Sequence, residues 1–142
     1  MARSDYRVVY WDTSALLSAL FRDGHSSEAA EWAGREGLHL MSTLAHAEAC
    51  AVIARMQRER ILADLLIKAA LEVLHEGPWR RLNASPQWET VQPLAEKWPL
   101  RGADLWHLAT AKSLQKDLPE LLLLTFDAGL RDAAAGEDLF RF

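Results

Sequence analysis

The chain carries a single cysteine, Cys50, in 142 residues. That excludes an internal disulfide and any zinc site built from several cysteines. No uncharged apolar run is long enough to span a bilayer, and no basic stretch followed by an apolar one stands near the start. The expectation is a cytoplasmic protein with no membrane partner. Positive charge is not in excess either: 16 Lys and Arg stand against 20 Asp and Glu, for a formal net charge of −4. A general basic field that would draw in nucleic acid is therefore missing. A nuclease of this composition needs metal ions to cancel a local acidic cluster, and a few arginines to hold the strand. Repeats, low-complexity tracts and linkers are absent, and the length fits one domain over residues 1–142.

Only tryptophan is in excess, with six residues. Several are expected in the core. Any left exposed would mark a partner surface, where aromatic anchors concentrate.

Apolar runs alternate with amphipathic stretches. Val8-Val9-Tyr10-Trp11, Leu38-His39-Leu40-Met41 and Leu121-Leu122-Leu123-Leu124-Thr125 read as strands buried on both faces. Trp79 to Asn83 reads as a short strand, and Leu139 to Phe142 as an edge strand. Helices are expected over Ala15–Phe21, from Ser26 to about Arg35, and over Leu44–Arg58 with Ser42-Thr43 as cap. Others should run from Arg60 to His75, from Ser85-Pro86 to Trp98, and from Arg101 until Asp117-Leu118-Pro119 ends it, with a short one after Asp127. Pro93 should kink or break the helix that contains it. Strands alternating with helices imply an α/β/α sandwich around a parallel sheet.

Four acids stand out on that frame. Asp12 and Asp127 each follow a candidate buried strand, so both should project at the edge where open parallel sheets bind ligands. Each alone would be read as a helix cap; their joint occurrence, beside the hydroxyls of Thr13, Ser14 and Thr125, suggests more. Glu48 lies among Leu44, Ala45, Ala51 and Val52 at helical spacing, where an ionised carboxylate needs a cation, a proton or an arginine to answer it. Asp104 opens a helix in Arg101-Gly102-Ala103-Asp104-Leu105-Trp106-His107-Leu108-Ala109-Thr110-Ala111. His107, one turn on, either orients Asp104 or is a satisfied core histidine. If the four acids meet, they suit oxygen coordination of Mg²⁺ or Mn²⁺. Arg55, Arg58, Arg60 and Arg101 are weak candidates for contacts with RNA, since basic residues at helix ends are usually solvated surface.

These residues, in this order along essentially the whole chain, resemble the PIN-domain ribonucleases, specifically the VapC-like toxins of toxin–antitoxin pairs. The matching motifs are the strand ending in Asp12-Thr13-Ser14, Glu48 in the helix after Ser42-Thr43, Ala103-Asp104-Leu105-Trp106-His107-Leu108-Ala109-Thr110-Ala111, and Leu124-Thr125-Phe126-Asp127. The resemblance implies a PIN-like fold and Mg²⁺- or Mn²⁺-dependent endonucleolytic cleavage of RNA by water. Asp12, Glu48, Asp104 and Asp127 take the family's acidic positions, with Ser14 or Thr125 as polar support. It also implies a homodimer and a small cognate antitoxin protein. Trp106 departs from the pattern, standing where the family usually has a smaller residue.

Other acid-bearing α/β proteins fit less well. A receiver domain wants paired acids near Asp12 and a lysine beside Asp127, and neither is present. A haloacid-dehalogenase-type phosphatase wants an acid at the position of Ser14. The rival from another class is a non-catalytic PIN-like interaction module whose acids are structural.

Overall fold

Val8, Val9, Tyr10 and Trp11 are all buried in β1 (Arg7–Trp11) of the computed structural model, which describes residues 7–140. β-Branched and aromatic residues apolar on both faces suit a central strand covered above and below. The chain continues through α1 (Thr13–Leu20), α2 (Ser26–Ala33), β2 (Gly37–Ser42), α3 (Thr43–Arg58), α4 (Asp64–Glu76) and β3 (Trp79–Leu82). It ends with α5 (Trp88–Lys97), α6 (Gly102–Gln115), β4 (Leu121–Leu124) and α7 (Ala128–Gly136). All strand pairings are parallel, in the order β3-β2-β1-β4. Helices flank this sheet in an α/β/α arrangement, α1 packing with α2, α3 and α4, and α6 with α5 and α7.

The order of strands decides where a ligand can sit. From β1 the chain steps outward through β2 to β3, then returns to place β4 on the other side of β1. The connections diverge between β1 and β4, and a crevice opens outside the carboxyl ends of strands at such a switch point. Asp12 follows β1 there, and its backbone N–H donates to the Leu124 carbonyl at 3.1 Å, carrying the β1–β4 pairing one residue further. Trp11, Trp32 and Trp79 are core, while Trp88 on α5 is 92% exposed.

Some element boundaries differ from expectation. Arg60 adopts a left-handed φ of 52° after the end of α3, so α4 starts at Asp64 rather than at Arg60. Ser85-Pro86 does not cap α5. The Gln87 backbone N–H donates to Ser113 Oγ on α6 and Lys116 Nζ reaches Gln87 Oε1, leaving the helix to start at Trp88. Pro93 sits inside α5 without breaking it. Leu139 contributes a single carbonyl to the Leu123 N–H at 2.8 Å and forms no strand among the described residues; Arg141 and Phe142 lie outside them.

Gly37 opens β2 opposite Arg7 with φ 145°, and a Cβ there would run into the Arg7 carbonyl oxygen and nitrogen. Only glycine occupies that conformation without strain. Gly37→Ala is expected to destabilise the chain by at least about 2 kcal/mol, lowering the melting temperature by roughly 5–10 °C. A thermal melt unchanged within a degree or so would show that the strand edge adjusts freely.

Candidate metal and RNA-cleavage site

Asp12 caps α1 and is 1% exposed. Its Oδ1 accepts from the Ala15 N–H at 2.8 Å, the cap bond that Asp is suited to make. Ser14 Oγ donates to either carboxylate oxygen, at 2.8 and 3.0 Å, and Thr125 Oγ1 donates to Oδ2 at 2.6 Å. Both hydroxyls also accept from the turn after β4: the Phe126 N–H reaches Ser14 Oγ and the Asp127 N–H reaches Thr125 Oγ1, each at 3.1 Å. The two hydroxyls thus fasten the end of β4 to the carboxylate at the end of β1. Asp127 is exposed and caps α7, accepting from the Leu130 N–H at 2.9 Å. For both acids the capping role and the position at the sheet edge coexist.

Glu48 and Asp104 approach from α3 and α6, both half-buried. Ser42, buried at the end of β2, starts α3 by accepting from the Ala45 N–H at 3.1 Å. Of the apolar neighbours of Glu48, Ala45 is buried and Ala51 exposed, so Glu48 stands at the boundary of the core. Thr13 Oγ1 donates to Glu48 Oε1 at 2.7 Å. His107, 1% exposed, lies 3.3 Å through Nε2 from Thr13 Oγ1 and 3.8 Å from Glu48 Oε1. Its Nδ1 is 2.7 Å from the Tyr10 hydroxyl. His107 is thus the satisfied, buried histidine that its place on an apolar helix face led one to expect, and it lies near Glu48 rather than orienting Asp104. Trp106 packs edge-on against the His107 ring.

Donor counting fixes the directions in this chain. The single hydroxyl proton of Thr13 goes to Glu48, which as a carboxylate can only accept, so Nε2 of His107 carries a proton towards Thr13. Burial lowers the His107 pKa to about 4, so the ring is neutral at pH 7 and Nδ1 accepts from Tyr10. Burial likewise raises the Tyr10 pKa well above the usual phenol range, keeping that proton in place. The period of a strand puts Tyr10, two residues before Asp12, on the same face as that acid, but it does not name His107 as its partner.

The acids influence one another. Burial raises the Asp12 pKa to about 6, against the lowering by the Thr125, Ala15 and Ser14 hydrogen bonds, and the Asp104 charge raises it further. Burial also raises the Asp104 pKa, followed by the charges of Asp127 and Glu48; Arg101 opposes them. Among the described residues none of the four acids forms an ion pair with lysine or arginine. Nor do any three His, Cys, Asp or Glu side chains among those residues stand close enough to hold an ion as they lie. Like charges without a cation between them repel, and an open arrangement is what that repulsion favours. The oxygen-only donor set and its unbalanced negative charge suit a hard divalent cation.

The arginines divide. Arg101 stands at the N-terminus of α6 within the field of Asp104. Arg55 and Arg58 occupy the last turn of α3 and are exposed, roughly 10–15 Å along the helix axis from Glu48. Arg60 lies beyond that end, so these three are removed from the acids.

The chain matches the family model for the PIN domain over residues 9–136. It belongs to the PIN-domain family. The matched span of this PIN domain includes Asp12, Glu48, Asp104 and Asp127. Among solved structures it is similar to the Mycobacterium tuberculosis toxin VapC20, described as cleaving the sarcin-ricin loop. The TM-score is 0.52 at 14% identity, over 88% of this chain and 94% of that one. At that identity the likeness is one of fold. No curated protein sequence gives a significant match. No helix among the described residues of the PIN domain is long and apolar enough to cross a membrane.

Proposed function

We propose that this PIN domain is a metal-dependent endoribonuclease acting as the toxin of a toxin–antitoxin pair. The observation that carries the reading is the placement of Asp12 and Asp127 after the adjacent strands β1 and β4. Asp12 and Asp127 come from the strand ends, and Asp104 lies within electrostatic range of Asp12, Asp127 and Glu48, with no lysine or arginine among the described residues ion-paired to them. Asp12, Glu48, Asp104 and Asp127 would hold Mg²⁺ or Mn²⁺, hard cations that favour oxygen donors. When bound, such an ion lowers the pKa of water and offsets charge developing on a phosphodiester.

The chain's own groups have separate tasks in this reading. Ser14 and Thr125 fix both oxygens of Asp12, and Thr13 fixes Glu48. Arg101 offers a positive charge to an RNA phosphate beside Asp104. With a net charge of −4, affinity for RNA rests on such local contacts and on the bound cation. Partners in this reading are an RNA substrate, a small cognate antitoxin and a second copy of the chain, in the cytoplasm.

The test is cleavage of a defined RNA panel with Mg²⁺, with EDTA, and with Mg²⁺ restored in excess. Cleavage in the first and third conditions only is expected. An RNA left intact in all three, by a chain that binds a protein partner, would favour an interaction module with structural acids, a reading supported by the capping bonds of Asp12 and Asp127. A second expected result concerns stability. Mg²⁺ or Mn²⁺ at a hundredfold excess over its dissociation constant should stabilise the chain by about 2.7 kcal/mol through ligand linkage. The increment in melting temperature should shrink in Asp12→Asn and Asp127→Asn, and equal increments in all three proteins would count against these acids as ligands.

A further inference from the structure

We infer that Tyr10, His107 and Thr13 form a positioning relay that sets the carboxylate of Glu48 for the metal, an inference that rests on the metal-binding reading of Glu48. Three elements supply its members: Tyr10 from β1, Thr13 from α1 and His107 from α6. The bonds run one way, from the Tyr10 hydroxyl to His107 Nδ1, from His107 Nε2 to Thr13 Oγ1, and from Thr13 to Glu48 Oε1, at 2.7, 3.3 and 2.7 Å. Each member has its proton committed to the next, so the Thr13 hydroxyl cannot turn away from Glu48 without leaving the His107 N–H without its acceptor. Tyr10 and His107 are 0% and 1% exposed, which locks their rotamers.

Glu48 needs such a device more than Asp12 does. Asp12 is buried and held by three separate donors. The Glu48 side chain is 38% exposed, has one more rotatable bond, and takes its one short hydrogen bond from Thr13. Hydrogen-bond partners of metal-binding carboxylates orient them, and their loss typically lowers metal affinity by about 10–100-fold. Through Thr13 the relay also ties Glu48, on α3, to the residue next to Asp12 in sequence.

The experiment titrates Mn²⁺ against melting temperature without RNA, and separately measures the Mn²⁺ concentration for half-maximal RNA cleavage. The proteins compared are wild type, Asp12→Asn, Thr13→Ser, Thr13→Val, Tyr10→Phe and His107→Gln. Thr13→Val should shift both Mn²⁺ midpoints upward by about tenfold or more, with cleavage largely recovered at saturating metal. Thr13→Ser keeps the hydroxyl and should restore the wild-type midpoints. Tyr10→Phe should shift them in the same direction by less, because His107 loses its anchor but keeps its donor. His107→Gln places an amide donor near the position of Nε2 and should stand between Thr13→Val and wild type. A merely structural network would lower the metal-free melting temperature in Thr13→Val and Tyr10→Phe and leave both midpoints where they are; that result would overturn the relay. If Asp12→Asn alone changes the metal response, the relay fails while the metal reading stands. If wild type shows no response to Mn²⁺, both fail together.

Discussion

Replacing Asp12 by asparagine is expected to remove RNA cleavage, by at least about a hundredfold in rate, and to leave the fold intact. Asn is as good a cap as Asp, so its Oδ1 still accepts the Ala15 N–H at the start of α1. Its amide nitrogen takes the place of Oδ2, facing the hydroxyls of Ser14 and Thr125, which can turn to accept instead of donate. Shape and the helix cap thus survive, and what disappears is one negative charge, one oxygen donor and the acceptor of the Thr125 hydroxyl proton. The measurement is the initial rate on a single RNA at saturating Mg²⁺, with circular dichroism to establish that the variant is folded. A folded variant cutting at the wild-type rate would take Asp12 out of the chemistry. Asp127→Asn keeps its cap on α7 by the same reasoning and should lose activity too.

The second large effect is the metal-free stability of the same variant across pH. Burial raises the Asp12 pKa from its ordinary 3.8 to about 6 in the folded chain. Between those values the folded state holds the proton more tightly than the unfolded state. Stability from this group is therefore present at low pH and lost as pH rises through 6, to a total of about 3 kcal/mol by neutral pH. His107 acts in the opposite sense: its depressed pKa makes stability rise with pH over the interval between about 4 and 6.5. The wild-type curve alone mixes the two, so the decisive quantity is the difference between Asp12→Asn and wild type. With EDTA present, the variant's advantage in urea denaturation should grow by about 3 kcal/mol from pH 4 to pH 7.5. A difference flat with pH would mean that Asp12 is not strained by its burial.

Much of this architecture is written in local sequence. β1 and β4 are legible because continuous β-branched, aromatic or leucine runs suit strands covered on both faces, and Asp12 and Asp127 because an acid closing such a run lands at the sheet edge. Ser42 was readable as a cap for the same local reason. The errors arise where distant contacts overrule local preference. Ser85-Pro86 carries a helix-start signature, yet Ser113 and Lys116 on α6 hold Gln87 outside the helix. The default reading of His107 as a satisfied core histidine holds, but its partners, Tyr10 and Thr13, are remote in sequence and not given by helical spacing. Arg55 and Arg58, in the last turn of α3, lie roughly 10–15 Å along the helix axis from Glu48, whereas Arg101, beside a single acid, falls in the field of Asp104.

Strand order also has a consequence for synthesis. The site joins the first strand described to the last, and Asp127 follows β4. While the polypeptide is being translated, Asp12, Glu48 and Asp104 all leave the ribosome before the partner strand that completes their pocket. A nascent or prematurely terminated product lacking β4 would carry three of the acids without the scaffold that seats them. On the proposed reading, the site is complete only once β4 has joined β1.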